Sequence, residues 1–176
     1  MNIYLIGYRC TGKTTVGKIL AQKLRWPIMD SDIELVNEQE RPISRIVESQ
    51  GWEAFRSIEK NVIQKLSLLD RHVIATGGGA VLNGENVNTM KKSGKLVWLR
   101  AKPETIHRRM ALDSHTEKSR PALTDMGVFE EIVETLNIRN PIYQKAMDIA
   151  IDTDQLTPKD ICRIIQEKLI GEQSSV

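Results

Sequence analysis

Two patterns alternate along this chain: short, continuous apolar runs, and longer stretches in which apolar residues recur three and four apart. Ile3–Ile6 is such a run, and predicts a strand buried on both faces. From Thr14 to Leu24, apolar Val16, Ile19, Leu20 and Leu24 fall at helical spacing. Trp26–Met29 is a second short apolar run, ending at Asp30. Residues 32–70 read as mostly helical, punctuated by Pro42 and Gly51. His72–Thr76 is a β-prone run that stops at Gly77-Gly78-Gly79, and Lys95–Leu99 and Asp148–Ile151 are two further strand candidates. Thr157–Ile170 predicts a closing helix with Ile161, Ile164, Ile165 and Leu169 on one face. Thr157 would be its N-cap, Pro158 would sit in the first turn and Gly171 would stop it. Strands separated by helices give an α/β chain whose parallel sheet is covered by helices on both faces. Asp113–Arg120 is polar and aperiodic, a mobile loop between helices. The tail after Gly171 is expected to fray. Neither an internal repeat nor a low-complexity tract interrupts the pattern.

Composition narrows the class. A chain of 176 residues makes one domain, or one domain with a small inserted lobe. With 40% hydrophobic and 27% charged residues it reads as soluble and globular, which excludes disordered and collagen-like classes. Lys and Arg total 25 against 23 Asp and Glu, a net charge of +2, too little to argue for nucleic acid or a membrane surface as partner. Two cysteines, Cys10 and Cys162, make no disulfide framework. His72, His107 and His115 are scattered, which speaks against a structural zinc site. The start is apolar for only four residues before Gly7, short of a secretory signal, and no run approaches a membrane span. A reducing cytoplasm is the expected compartment.

The chemistry begins at Gly7-Tyr8-Arg9-Cys10-Thr11-Gly12-Lys13-Thr14, which matches G-x-x-x-x-G-K-[ST] between an apolar strand and an amphipathic helix. Loop N–H groups and the helix N-terminus can cradle phosphate oxygens, Lys13 can reach the β- and γ-phosphates, and the Thr14 hydroxyl can ligate Mg²⁺. Cys10 sits where many such loops carry glycine.

Asp30-Ser31-Asp32 ends the second strand candidate, where open α/β sheets bind their ligands. One carboxylate can serve a magnesium shell and the other can accept a hydrogen bond or a proton from a hydroxyl nucleophile. Asp32, placed before Ile33-Glu34-Leu35, would equally make a helix N-cap. Gly77-Gly78-Gly79 suits a backbone that must approach a ligand closely, or a flexible turn. Arg56 and Glu59 are neighbours on one helical face, which by itself reads as an exposed ion pair. Arg120 precedes Pro121. Arg139 follows an amphipathic helix and precedes Asn140-Pro141. Each of these arginines alone reads as a solvated surface charge.

Taken in order, G-x-x-x-x-G-K-T, D-S-D, F-R-x-x-E, T-G-G-G, R-P-A-L and R-N-P-x-Y resemble the shikimate kinase family, over residues 3 to about 158. The resemblance implies a three-layer P-loop fold: a five-stranded parallel sheet of order 2-3-1-4-5, a small substrate lobe near residues 31–60 and a mobile lid near 110–123, within a single domain spanning 1–176. It implies ATP-dependent phosphorylation of the 3-hydroxyl of shikimate in aromatic amino-acid biosynthesis, by a cytoplasmic monomer. ATP would lie on Cys10, Thr11, Gly12, Lys13, Thr14 and Thr15, with Arg109 against the adenine and Arg120 on the phosphates. Shikimate would be held by Asp32, Arg56, Gly77, Gly78, Gly79 and Arg139. Lys13, Asp32 and Arg120 would be catalytic, and Thr14 and Asp30 would serve Mg²⁺. Guanidinium forks suit the carboxylate of such a ring, because they bind it bidentately.

Overall fold

A computed structural model describes residues 1–112 and 127–170 of the chain. Five strands are β1 (Asn2–Ile6), β2 (Ile28–Asp30), β3 (Val73–Ala75), β4 (Gly94–Arg100) and β5 (Ile149–Asp152). They pair in parallel in the order β2-β3-β1-β4-β5, as the resemblance implied. The helices are α1 (Lys13–Leu24), α2 (Ser31–Gln39), α3 (Ile43–Ser67), α4 (Gly84–Ser93), α5 (Pro103–Leu112), α6 (Val128–Ala146) and α7 (Pro158–Ile170), with a 3₁₀ turn at Ala80–Leu82.

Alternation along β1 explains the layering. All five of its residues are buried, as a central parallel strand requires. Ile3 and Leu5 point to one face and join Val16 and Leu20 of α1 and Ile161 and Ile165 of α7. Tyr4 and Ile6 point to the other, where they meet Ile63 of α3, Met90 of α4 and Tyr143 of α6. Two cores therefore sandwich one sheet, and the strands' carboxyl ends are left to line a crevice. No helix among the described residues is long and apolar enough to cross a membrane.

Pro42 and Gly51 punctuate the stretch 32–70 as the sequence suggested: two helices are separated around Pro42, and Gly51 (φ 81°, ψ 171°) breaks α3 internally. Other boundaries differ from the reading of the sequence. Residues 80–93, to which no element was assigned, hold the 3₁₀ turn and α4. Asn83 caps α4 by accepting a hydrogen bond from the Glu85 N–H. Most consequentially, α6 does not stop before Arg139; it runs through Pro141 to Ala146. An internal proline costs a helix about 3 kcal/mol. Here the turn beyond it buries Tyr143 and Ala146 against the sheet, and that packing holds the helix together. Thr157 does cap α7, in a reciprocal box: its hydroxyl accepts from the Asp160 N–H (3.3 Å), and the Asp160 carboxylate accepts from the Thr157 N–H (3.3 Å).

Gly94 opens β4 opposite Asn2 of β1. A Cβ there would lie 2.2 Å from the Asn2 carbonyl oxygen, so the strands approach too closely for any side chain. Gly94→Ala is expected to cost about 1–3 kcal/mol, as overpacking does. A calorimetric melt should show it, at about 2–4 °C for each kcal/mol in a chain of this size.

Candidate active site

Three strand ends and their following turns build the site. The loop after β1 depends on two glycines. Gly7 (φ 138°) passes so close to β4 that a Cβ would sit 2.3 Å from the Leu99 carbonyl oxygen, and Gly12 (φ 95°) turns the chain into α1. Cys10 also adopts a left-handed conformation (φ 58°), which accounts for glycine being common at that place in such loops. Within the loop, Lys13 Nζ donates to the carbonyls of Gly7 (2.9 Å) and Tyr8 (2.7 Å), and Thr11 Oγ1 donates to Tyr8 O (2.8 Å). Arg109, on α5, donates to the Cys10 carbonyl (3.3 Å) and grips Thr153 beyond β5 through Oγ1 (3.0 Å) and the carbonyl (2.8 Å). It thereby ties the loop to the end of the last strand.

The acidic pair after β2 divides its work, though not as its local sequence suggests. Asp30, not Asp32, is the N-cap of α2: its Oδ1 accepts from the Asp32 N–H at 3.1 Å. Its Oδ2 accepts from the Thr14 hydroxyl at 3.1 Å, so these two hard oxygen donors are already neighbours at the mouth of the loop. Asp32 is thereby freed from capping and lines a cavity with Tyr8, Arg56, Glu59, Arg139 and the glycine turn. Ser31 between them is buried and accepts from the Gly77 N–H at 2.9 Å, which clamps the turn after β3 to the start of α2.

The glycine turn is a matter of space, not of unusual dihedral angles. A Cβ on Gly77 would fall 2.6 Å from Asp32 Oδ1 and 3.0 Å from Glu59 Oε1. One on Gly79 would fall 2.2 Å from the Arg56 guanidinium. Charged side chains press against this backbone from both sides.

Arg56 and Glu59 are not the exposed pair that their spacing alone suggested. Arg56 Nη1 donates to Glu59 Oε2 at 2.7 Å, and Glu59 is only 2% exposed. The guanidinium also lies over the rings of Phe55 (5.0 Å) and Trp52 (5.5 Å). Among the described residues Glu59 Oε1 has no hydrogen-bond partner. Burial pushes the Glu59 carboxyl above its ordinary range, Arg56 opposes that shift, and the nearby Asp32 charge adds to it. Arg139 of α6 reaches over the Tyr8 ring (6.0 Å), and its Nη1 donates to the Gly78 carbonyl at 3.3 Å.

The cavity thus brings together Asp32, Arg56, Gly77, Gly78, Gly79 and Arg139, while Cys10–Thr15 and Asp30 gather at the phosphate loop. Arg109 stands behind that loop. Arg120 and most of the expected lid at 110–123 lie outside the described residues. Reading the sequence missed the cavity's aromatic wall of Tyr8, Trp52 and Phe55. It also missed the Arg9–Glu131 ion pair, with side chains 10% and 7% exposed, which bolts the loop to α6, and the Tyr143 hydroxyl, which donates to Gly78 O at 2.5 Å. Of these, Phe55 and Tyr143 carried a signal, since Phe55 opens the F-R-x-x-E motif and Tyr143 stands four residues after Arg139, on the same helical face.

Known proteins resemble this chain in sequence and fold. A family model described as Shikimate kinase matches residues 9–170. The shikimate kinase of Caldicellulosiruptor saccharolyticus is 40% identical over 170 residues, which cover 97% of this chain and 94% of the relative. That of Rhodopirellula baltica is 37% identical, with 99% of this chain and 92% of the relative covered. The solved structure of a shikimate kinase from Acinetobacter baumannii in complex with shikimate superposes with a TM-score of 0.89 at 32% identity, covering 97% of this chain and 93% of that one.

The buried carboxyl of Glu59 makes stability depend on pH with a definite sign. The folded chain holds its proton more tightly than the unfolded chain does. Stability should therefore fall as pH rises from the ordinary glutamate value of 4.5 through the raised one. Glu59→Gln removes that contribution. Melting temperatures of the two proteins, measured from pH 4 upward, should show the wild type losing ground to the variant as pH rises, and parallel curves would show the carboxyl to be unshifted.

Proposed function

The chain belongs to the shikimate kinase family, and from that premise we propose that it transfers the γ-phosphoryl group of ATP to the 3-hydroxyl of shikimate, giving shikimate 3-phosphate and ADP. One observation carries the proposal. A phosphate loop opens beside a cavity in which two guanidinium groups, Arg56 and Arg139, converge at the glycine turn, and a carboxylate, Asp32, lines the same cavity. A small hydroxylated ring with one carboxylate matches that set of charges.

In this reading the loop amides of Cys10–Thr15 cradle the β- and γ-phosphates. Lys13 leaves the loop carbonyls to follow the charge that moves with the transferred group. Arg109, half-buried behind Cys10, faces the nucleotide from α5. Arg120, which lies outside the described residues, would take the role on the phosphates that its motif implies, and a lid closing over both substrates would exclude water. Arg56 and Arg139 grip the carboxylate of the ring, with its remaining edge toward Gly77, Gly78 and Gly79. That grip leaves a ring hydroxyl toward Asp32, which accepts its proton or orients it for in-line attack.

The Thr14 hydroxyl and Asp30 carboxylate fit Mg²⁺. Both are hard oxygen donors, 3.1 Å apart, and Mg²⁺ is usually held by one or two such groups together with substrate phosphates. Among the described residues no cluster of three or more His, Cys, Asp or Glu competes with them. When bound, the ion neutralises charge on the β- and γ-oxygens. We propose that the acting unit is a monomer, since every residue assigned to the reaction can be supplied by a single chain. The two cysteines form no disulfide, which suits a reducing cytoplasm.

A coupled assay of ADP release with Mg-ATP tests the proposal. Shikimate should be turned over far faster than quinate, gluconate or nucleoside monophosphates, and a chain that ignores shikimate would sink it. Arg139→Ala should raise the shikimate KM at least tenfold while moving the ATP KM little, since truncating a charge-paired donor costs about 1.5–3 kcal/mol. Asp32→Asn should lower kcat by about 10²–10⁴ if the carboxylate takes the proton. A loss below tenfold would reduce it to a positioning group.

A further inference from the structure

The carbonyl oxygen of Gly78 accepts two hydrogen bonds from side chains one turn apart on α6, from Arg139 Nη1 at 3.3 Å and from the Tyr143 hydroxyl at 2.5 Å. We infer that Tyr143 is a positioning residue for the acceptor substrate: its hydroxyl holds the Gly77–Gly79 turn in place through this carbonyl, so that Arg139 can leave it for an anionic ligand without the turn shifting. The inference deepens the phosphoryl-transfer reading above and rests on it.

The two bonds are unequal. That of Arg139 is long for an N–H donor, whereas that of Tyr143 is short even for a hydroxyl. The mobility of the two donors differs in the same sense. Arg139 lies along the cavity wall over the Tyr8 ring. Tyr143 is 1% exposed and stacked on Trp98 (5.6 Å between centroids, 23° between planes), deep in the core that contains β1. Burial also pushes its phenol well above the ordinary range, with Arg139 opposing, so the group stays a proton donor throughout the physiological range.

A phenylalanine would fill the same space and keep the stacking, so packing alone does not call for the hydroxyl. Its effect falls on a turn with no slack. A Cβ on Gly77 or Gly79 would strike Asp32, Glu59 or Arg56, and a displaced Gly78 peptide would push the flanking glycines toward those groups. When the Arg139 guanidinium swings to a carboxylate, the Gly78 carbonyl loses one of its two partners. Tyr143 keeps it satisfied and aimed as before.

Tyr143→Phe in the full chain tests this, by steady-state kinetics in both substrates and a thermal melt. The expected result is a cooperative melt with a shikimate KM raised about tenfold, the scale of one lost buried hydrogen bond, and an ATP KM within twofold of wild type. A second comparison separates positioning from general support. In an Arg139→Ala background, where there is no guanidinium to release, Tyr143→Phe should raise the shikimate KM less than threefold. Equal losses in the two backgrounds, matched shifts in both KM values, no shift at all, or a Phe variant that no longer melts cooperatively would each overturn the inference. Turnover of shikimate by the unmutated chain keeps the two readings distinct. If it is absent, the proposed function fails; if it is present beside a silent Tyr143→Phe, only the positioning role does.

Discussion

Placing three arginines around one small cavity is possible only because each has an acceptor in place before any ligand arrives. A guanidinium taken out of water without one costs several kcal/mol. Arg9 is paired with Glu131, Arg56 with Glu59, and Arg139 with a main-chain carbonyl. The pairing is graded. The first two partners are ionised or ionisable carboxylates, each nearly covered. The third is a neutral dipole, and among the described residues no ion pair engages Arg139. Under the proposed function, an incoming carboxylate would displace a neutral acceptor at Arg139, while Arg56 could keep Glu59 through its other edge. Affinity for an anion would then follow from that asymmetry more than from the number of positive charges.

The scaffold supplies the graded pairing by bringing three strand ends to one crevice. β1 delivers the phosphate loop, β2 delivers Asp30 and Asp32, and β3 delivers the glycine turn. Hydrogen bonds between their turns lock these segments in register. Ser31 accepts from Gly77 N–H, and Thr14 donates to Asp30. Helix α6 closes the set from above with Glu131, Arg139 and Tyr143, all on the face toward the loop or the turn. That a single helix reaches all three depends on its running unbroken through Pro141.

Much of this was legible in the sequence, for physical reasons that particular residues illustrate. A central parallel strand must be apolar on both faces, so Ile3–Ile6 announced itself. The phosphate loop needs glycine at Gly7 and Gly12 and a cation at Lys13, so it did too. Where local options stayed open or were misjudged, long-range contacts decided between them. Asp30 and Asp32 are equally good caps by type, and the choice fell to Asp30 because β2 ends there and Thr14 lies beside it. Pro141 is a helix breaker by propensity, overridden by the burial of Tyr143 beyond it. Arg56 and Glu59 have the spacing of a surface pair, and the turn after β3, packed against them, helps to bury Glu59 and half-bury Arg56. Arg9 and Glu131 are 122 positions apart, and no local pattern links them.

The crowding at Gly77 and Gly79 constrains how this pocket can change over time. Their missing side chains are already occupied by the oxygens of Asp32 and Glu59 and by the nitrogens of Arg56. A larger residue at either place would displace the charges it touches, and any remodelling of those charges would leave a hole that only a larger residue fills. The turn and its ring of charges can therefore diverge only together. A route from this specificity to another passes through intermediates that are either overfilled or hollow, so descendants of such a chain should keep their acceptor substrate long after their surfaces have drifted.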